Sequence, residues 1–214
     1  MLSTPNMKDI NDRNLSFWSP QPYFIAGFFF PQQIFQIAYL WRLYKLDSKK
    51  PSERSELDPL VAYAPYFTVG NLCIAAWMVF WNNEQLKISN IFVIINSLSQ
   101  LYYSFAKLDP MNTNSTTSIL THVVAKTFAG IGVLDLAQNG SVAYFKDAPA
   151  TMTVKVVTAL GFGLASAAGD WIFGGCMVYD LVALAAGQSG SWRNLLAAYA
   201  VGAAGIVGAK NIAR

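Results

Sequence analysis

The feature that most constrains this chain is a succession of apolar runs, each about as long as a hydrocarbon layer is thick. Residues 23–40, 60–81, 88–106 and 118–138 each supply enough helix to cross about 30 Å at about 1.5 Å per residue. Three further runs, 152–169, 171–187 and 193–209, are moderately apolar and rich in Gly and Ala. A water-soluble domain has no use for so many. The expected fold is an all-α, polytopic transmembrane helix bundle of about seven spans, with six spans and a surface helix as the alternative.

Charge agrees with this reading. The 214 residues are 54% hydrophobic and 13% charged, against roughly 25% charged for an average soluble domain. Residues 1–214 read as a single integral membrane domain, with no room for a soluble catalytic domain. It comprises a polar N-terminal tail at 1–20, a polar loop at 45–59, a loop at 109–117 and Gly/Ala-rich C-terminal helices at 151–214. The net charge of +3 and the lack of basic clusters interleaved with aromatics argue against a nucleic-acid partner. Residues 1–20 contain Asp9 and Asp12 and lack the apolar core of a secretory signal. They are also too acidic and too poor in Arg for an ordinary mitochondrial transit peptide.

Local punctuation sets the element ends. Trp18, Trp41 and Tyr44 flank the first span at the depth aromatic belts occupy. Pro31 interrupts that span beside Gln32 and Gln33, which are expected to face protein. Thr116, Thr117 or Ser118 are the expected N-caps of the fourth span. Small residues four apart, at Gly161, Ala165 and Gly169 and at Ala200, Ala204 and Gly208, would let helix backbones approach closely. The bias of Lys and Arg places loop 41–59 on the cytoplasmic or matrix side.

Six ionisable residues fall in or beside the fourth to sixth spans: His122, Lys126, Asp135, Lys155, Asp170 and Asp180. An isolated charge at the bilayer centre costs about 2.5–3.5 kcal/mol even on the lenient insertion scale, so partners are expected. Threading the spans from face to face puts Lys126 about 12 Å down the fourth and Asp180 about 13 Å down the sixth. Asp135 and Lys155 fall together at the opposite face. The expectation is two structural intramembrane ion pairs, Lys126–Asp180 and Asp135–Lys155, with His122 and Asp170 as members of a candidate polar path. The bland reading, helices held in register, outweighs a proton path.

Chemistry is constrained by what is missing. The chain has a single histidine, His122, too few for a haem or zinc site, so neither a metal nor another cofactor is expected. Cys73 and Cys176 lie in apolar runs and read as buried small hydrophobes. No phosphate loop, GxSxG elbow or HExxH occurs. Intramembrane proteolysis would want paired aspartates, and Asp135 and Asp180 are expected at different depths. The chain reads as no enzyme. Sequons stand at Asn14, Asn114 and Asn139, and a seven-span topology cannot expose all three.

The stretch from Trp18 to Tyr44, with Pro20, Pro22 and Pro31, resembles the first helix of TspO-type tryptophan-rich membrane proteins. The run holding Asn71 and Trp77 (NLCIAAWMVFW) is similar to their second and third helices. The resemblance covers about residues 18–106, and the organisation is also similar to uncharacterised fungal multi-span proteins. It implies a small apolar ligand in an aromatic bundle, lined here by Asn71, Tyr66, Trp77, Tyr102 and Tyr103. The Gly/Ala-rich second half departs from that pattern.

The functional expectation is a non-catalytic structural or accessory subunit of a larger membrane complex, with the bilayer and other membrane subunits as partners. By analogy, its concrete form is a respiratory complex of the mitochondrial inner membrane. The alternative is a TspO-like binder or carrier.

Overall fold

The computed structural model describes residues 6–213, apart from the side chain of Ser52. Eight α-helices and one π turn are present among them: α1 Met7–Arg13, α2 Pro22–Lys45, α3 Pro51–Asn82, α4 Leu86–Tyr102, α5 Thr116–Tyr144, α6 Met152–Ala168, α7 Trp171–Gly187 and α8 Gly190–Ile212. The π turn, Tyr103–Lys107, continues α4. Helices α2 to α8 follow the seven apolar runs. Among the described residues, three helices are long and apolar enough to cross a membrane, within Glu53–Asn82, Thr116–Tyr144 and Gly190–Ile212.

Side chains that satisfy orphan N–H groups start several of these helices. Asn6 and Asp9 form a reciprocal capping box on α1. Gln21 accepts from the first turn of α2, Ser115 from Ser118 on α5, Thr151 from Val154 on α6, and Asp170 from α7. Ser115 therefore replaces the expected caps at Thr116, Thr117 or Ser118, which lie inside the helix. Pro22 and Pro51 stand in the first turns of α2 and α3, where a missing N–H removes no intrahelical bond.

Two sequence boundaries need correction. The expected polar loop 45–59 is mostly helix, because α3 begins at Pro51 and runs through Pro59 and Pro65. The expected polar tail contains α1, followed by a segment held tightly by the bundle. Ser16 bonds Ser141 at 2.6 Å, Trp192 donates to the Phe17 carbonyl at 2.8 Å, and Gln188 donates to the Ser19 carbonyl at 2.8 Å. Gln138 reaches Asn11 at 2.9 Å. The chain itself therefore orders this segment. Residues 1–5 of the tail lie outside the described residues.

Helix α5 is the hub, packing against α2, α3, α4 and α7. Helix α8 lies against α7, and α6 covers α7 and α8 from outside. One apolar cluster joins α5 and α7 to α8 through Ile131, Leu134, Phe173, Met177, Leu184 and Leu196. A second joins α2, α3 and α5 through Tyr39, Leu60, Tyr63 and Val124.

The small residues divide. Gly130 lies so close to α7 that an added Cβ would come within 2.4 Å of the Cys176 Cβ. Gly169 likewise abuts Phe173 and Gly174. Gly161 and Gly208, by contrast, meet no side chain, so the expected close approach does not run through them.

Candidate functional site

The charged residues of α5 and α7 are brought together by the parallel course of these helices. Both run in the same direction because α6 returns the chain between them. Lys126 makes an ion pair with Asp170, and Gly130 faces Cys176. Five residues beyond Gly130 and four beyond Cys176, Asp135 and Asp180 come to a similar level along the two helices, with Asp135 about 140° round α5 from Gly130. Asp180 is fully buried, and neither of its oxygens has a hydrogen-bond partner among the described residues.

Each expected ion pair is therefore corrected. Lys126 pairs with Asp170, not Asp180, because α7 begins deeper than α5. The α6–α7 connection reaches only to the level of Lys126, ten residues into α5. Asp135 and Lys155 form no ion pair among the described residues. Helix α6 packs on α7 and α8, which carries Lys155 away from α5. The Lys155 carbonyl accepts a bond from Tyr199 at 3.2 Å. Asp135 and Asp180, expected at different depths, share one level.

At the Lys126 end, a cleft of about 260 Å³ is lined by Ser104, Phe105, Lys126, Gly169, Asp170 and Phe173. Asp170 serves two helices there. One oxygen meets Lys126, and the other accepts from Ile172 and Phe173 N–H groups at 3.1 Å each. Lys210 donates to the Gly169 carbonyl at 2.8 Å, tying the end of α8 to the same connection. His122 is buried one turn before Lys126, with Nδ1 unpartnered among the described residues. Lys126 meets Asp170, and His122 stands one turn before Lys126 on the same helix, while Asp180 lies further along.

The residues expected to line an apolar ligand do not form one chamber. Tyr66 packs on Tyr103 at 4.8 Å and on Tyr102 at 6.4 Å between ring centroids. Tyr63, itself 4.8 Å from Tyr103, continues the stack to Tyr39. Trp77 lies eleven residues beyond Tyr66, about 16 Å along the axis. It donates to Asn139 at 2.8 Å, and Asn71 bonds the Phe67 carbonyl of its own helix. The Trp77 and Asn71 N–H groups are thus engaged within the bundle.

A second polar population is buried: Gln32 faces protein as expected, Gln33, expected to do the same, is exposed, and Gln36 and one face of α4 join the interior without having been singled out for it. Gln32 and Gln36 on α2, and Ser89, Asn90, Asn96, Ser97 and Gln100 on α4, are all buried. Gln100 is satisfied by Tyr63 and by the Tyr66 carbonyl, whereas polar atoms of Gln32, Gln36, Asn96 and Ser97 are unpartnered among the described residues. The signal was present as spacing: 32 and 36 lie one turn apart, and 89, 93, 96, 97 and 100 mark one helical face.

Among the sequons, Asn14 and Asn139 are buried and only Asn114 is exposed. Both cysteines are free and buried, as expected. No family model matches the chain, and no curated protein or solved structure matches it either.

Proposed function

We propose that this protein is a multi-pass integral membrane protein and serves as a non-catalytic accessory subunit of a larger membrane assembly. One observation carries the membrane part: the polarity of the bundle is inverted. On α4 the polar face is buried, with Gln100 at 0% exposure, while Ile91 and Leu98 stand 52% and 54% exposed. On α2, Gln32 and Gln36 point inwards, while Phe30 at 74% and Ile37 at 65% point out. A helix at a water-exposed surface has the opposite arrangement. Lipid-facing helices place polar side chains inside, away from hydrocarbon, and leave apolar ones outside.

The accessory role rests on what the interior does. Its aromatic rings are stacked on each other, its Lys126–Asp170 pair fastens one helix connection, and its N-terminal segment fastens the other end. These are devices that hold a shape. They favour an accessory subunit over a TspO-like carrier, which needs an open aromatic chamber.

Alkaline carbonate extraction and blue-native electrophoresis of gently solubilised membranes test the two parts separately. Retention in the carbonate-washed pellet is the expected result, and release into the supernatant overturns membrane integration. Co-migration with a large complex, identified by mass spectrometry, is expected for a subunit. Migration as a monomer overturns that role.

A further inference from the structure

Asp180 is the most isolated charged-type side chain in the bundle, and it lies outside the ion pair that organises the α6–α7 connection. Its exposure is 0%, and neither carboxyl oxygen finds a donor among the described residues. Leaving an ionised carboxylate in such surroundings is far more costly than neutralising it. Neutralisation needs either a cation or a proton.

Among the described residues, no cation of the neighbouring elements pairs with Asp180. From α5 the titratable group at this level is Asp135, another carboxyl, and Lys126 lies nine residues away, about 13 Å, already bound to Asp170. From α7 itself the groups are Cys176, one turn earlier, and Tyr179, whose hydroxyl donates to the Phe24 carbonyl at 2.7 Å. On α2 the cationic side chains are Arg42 and Lys45, at the far end of the helix. Among the described residues Lys155 on α6 and Arg193 on α8 form no ion pair with Asp180, and Lys210 on α8 is held at the Gly169 carbonyl. A hard metal ion wants six or more oxygens, whereas the described residues contain no cluster of three metal-binding side chains.

We propose that Asp180 forms an intramembrane proton-binding site. Asp180 holds the proton, buried at 0% exposure with no donor or cation to stabilise its charged form among the described residues. This deepens the membrane reading, on which it rests for a bundle surrounded by lipid, and it does not depend on the accessory role.

Infrared spectroscopy of the full chain in lipid nanodiscs tests the site. At neutral pH the expected spectrum contains the C=O stretch of a protonated carboxylic acid, lost in Asp180→Asn. In Asp135→Asn the band should persist, and the pH at which it disappears should move down by about one unit or more, as expected for coupled titrating sites. Should Asp180→Asn fail to fold, Asp180→Glu makes the assignment, because it keeps the acid and displaces the band. The proposal is overturned if the wild type and Asp180→Asn, or Asp180→Glu in its place, have the same acid band. It is also overturned if sodium chloride at constant pH removes the band, since a metal ion then replaces the proton. Insertion into nanodiscs with only carboxylate bands sinks the site alone. Failure to insert sinks the membrane reading, and the same spectra taken in aqueous solution then judge the site.

Discussion

Asp170 and Gly130 define the α5–α7 contact by opposite means, one through charge and one through the lack of a side chain. Lys126 and Asp170 are 15% and 29% exposed, so water screens the pair only in part. Lys126→Met should lower stability by about 1–3 kcal/mol, the scale for hydrogen bonds to charged groups. Asp170→Asn keeps an N-cap of comparable quality but strands the ammonium. The double variant, free of both charges, should recover much of the loss, because the cost lies in an uncompensated charge rather than in the missing pair. Denaturant unfolding in detergent measures all three, and a double variant no better than the singles counts against the pair. Gly130→Ala should cost about 1–3 kcal/mol by overpacking against Cys176. Gly161→Ala, which meets nothing, should be neutral or stabilising by up to about 1 kcal/mol through helix propensity. Equal effects at the two glycines would show that proximity to α7 does not govern them.

At the scale of elements, helix existence was legible in the sequence and helix level was not. Apolar runs located α2 to α8 because their length and composition survive any tertiary context. Lys126–Asp180 failed as an ion pair because threading assumed that α5 and α7 start at one surface, whereas α7 starts ten residues deeper. That offset belongs to the α6–α7 connection, where the Asp170 cap and the Gly169 contact set the level, and no periodicity reports it. The loop at 45–59 failed for a local reason: charged residues extend α3 beyond its apolar part, and Pro51 opens a helix. The polar stripe of α4 was readable and went unread, since its residues alternate with isoleucines that raise the mean hydropathy. Its inversion makes a direct prediction. Leu98→Lys places a charge on the exposed face and should reduce membrane insertion of the segment by about 2.5–3.5 kcal/mol if that face meets mid-bilayer lipid. A glycosylation-based insertion assay reads this, and a substitution without effect there would place the face in water.

Across the whole molecule, the N-terminal segment and α8 hold each other although they are far apart in sequence. Trp192 and Gln188 flank the α7–α8 connection, and both donate to carbonyls between Ser16 and Ser19. Gly187 fits against Ser19 and Pro20 with no space for a Cβ. Trp18 reaches across to Thr158 on α6 at 2.8 Å, so one short stretch binds three C-terminal helices. Trp192→Phe leaves the Phe17 carbonyl without its donor and should lose about 1–3 kcal/mol, and Gln188→Ala should act similarly. Their combined loss should fall short of the sum, because either change frees the segment that the other also holds. Limited proteolysis should then cut near residues 15–20 in the variants and not in the wild type. Stability and cleavage unchanged in both variants would make the segment a passive tail. A cut without loss of stability would make it a strap that the bundle does not need.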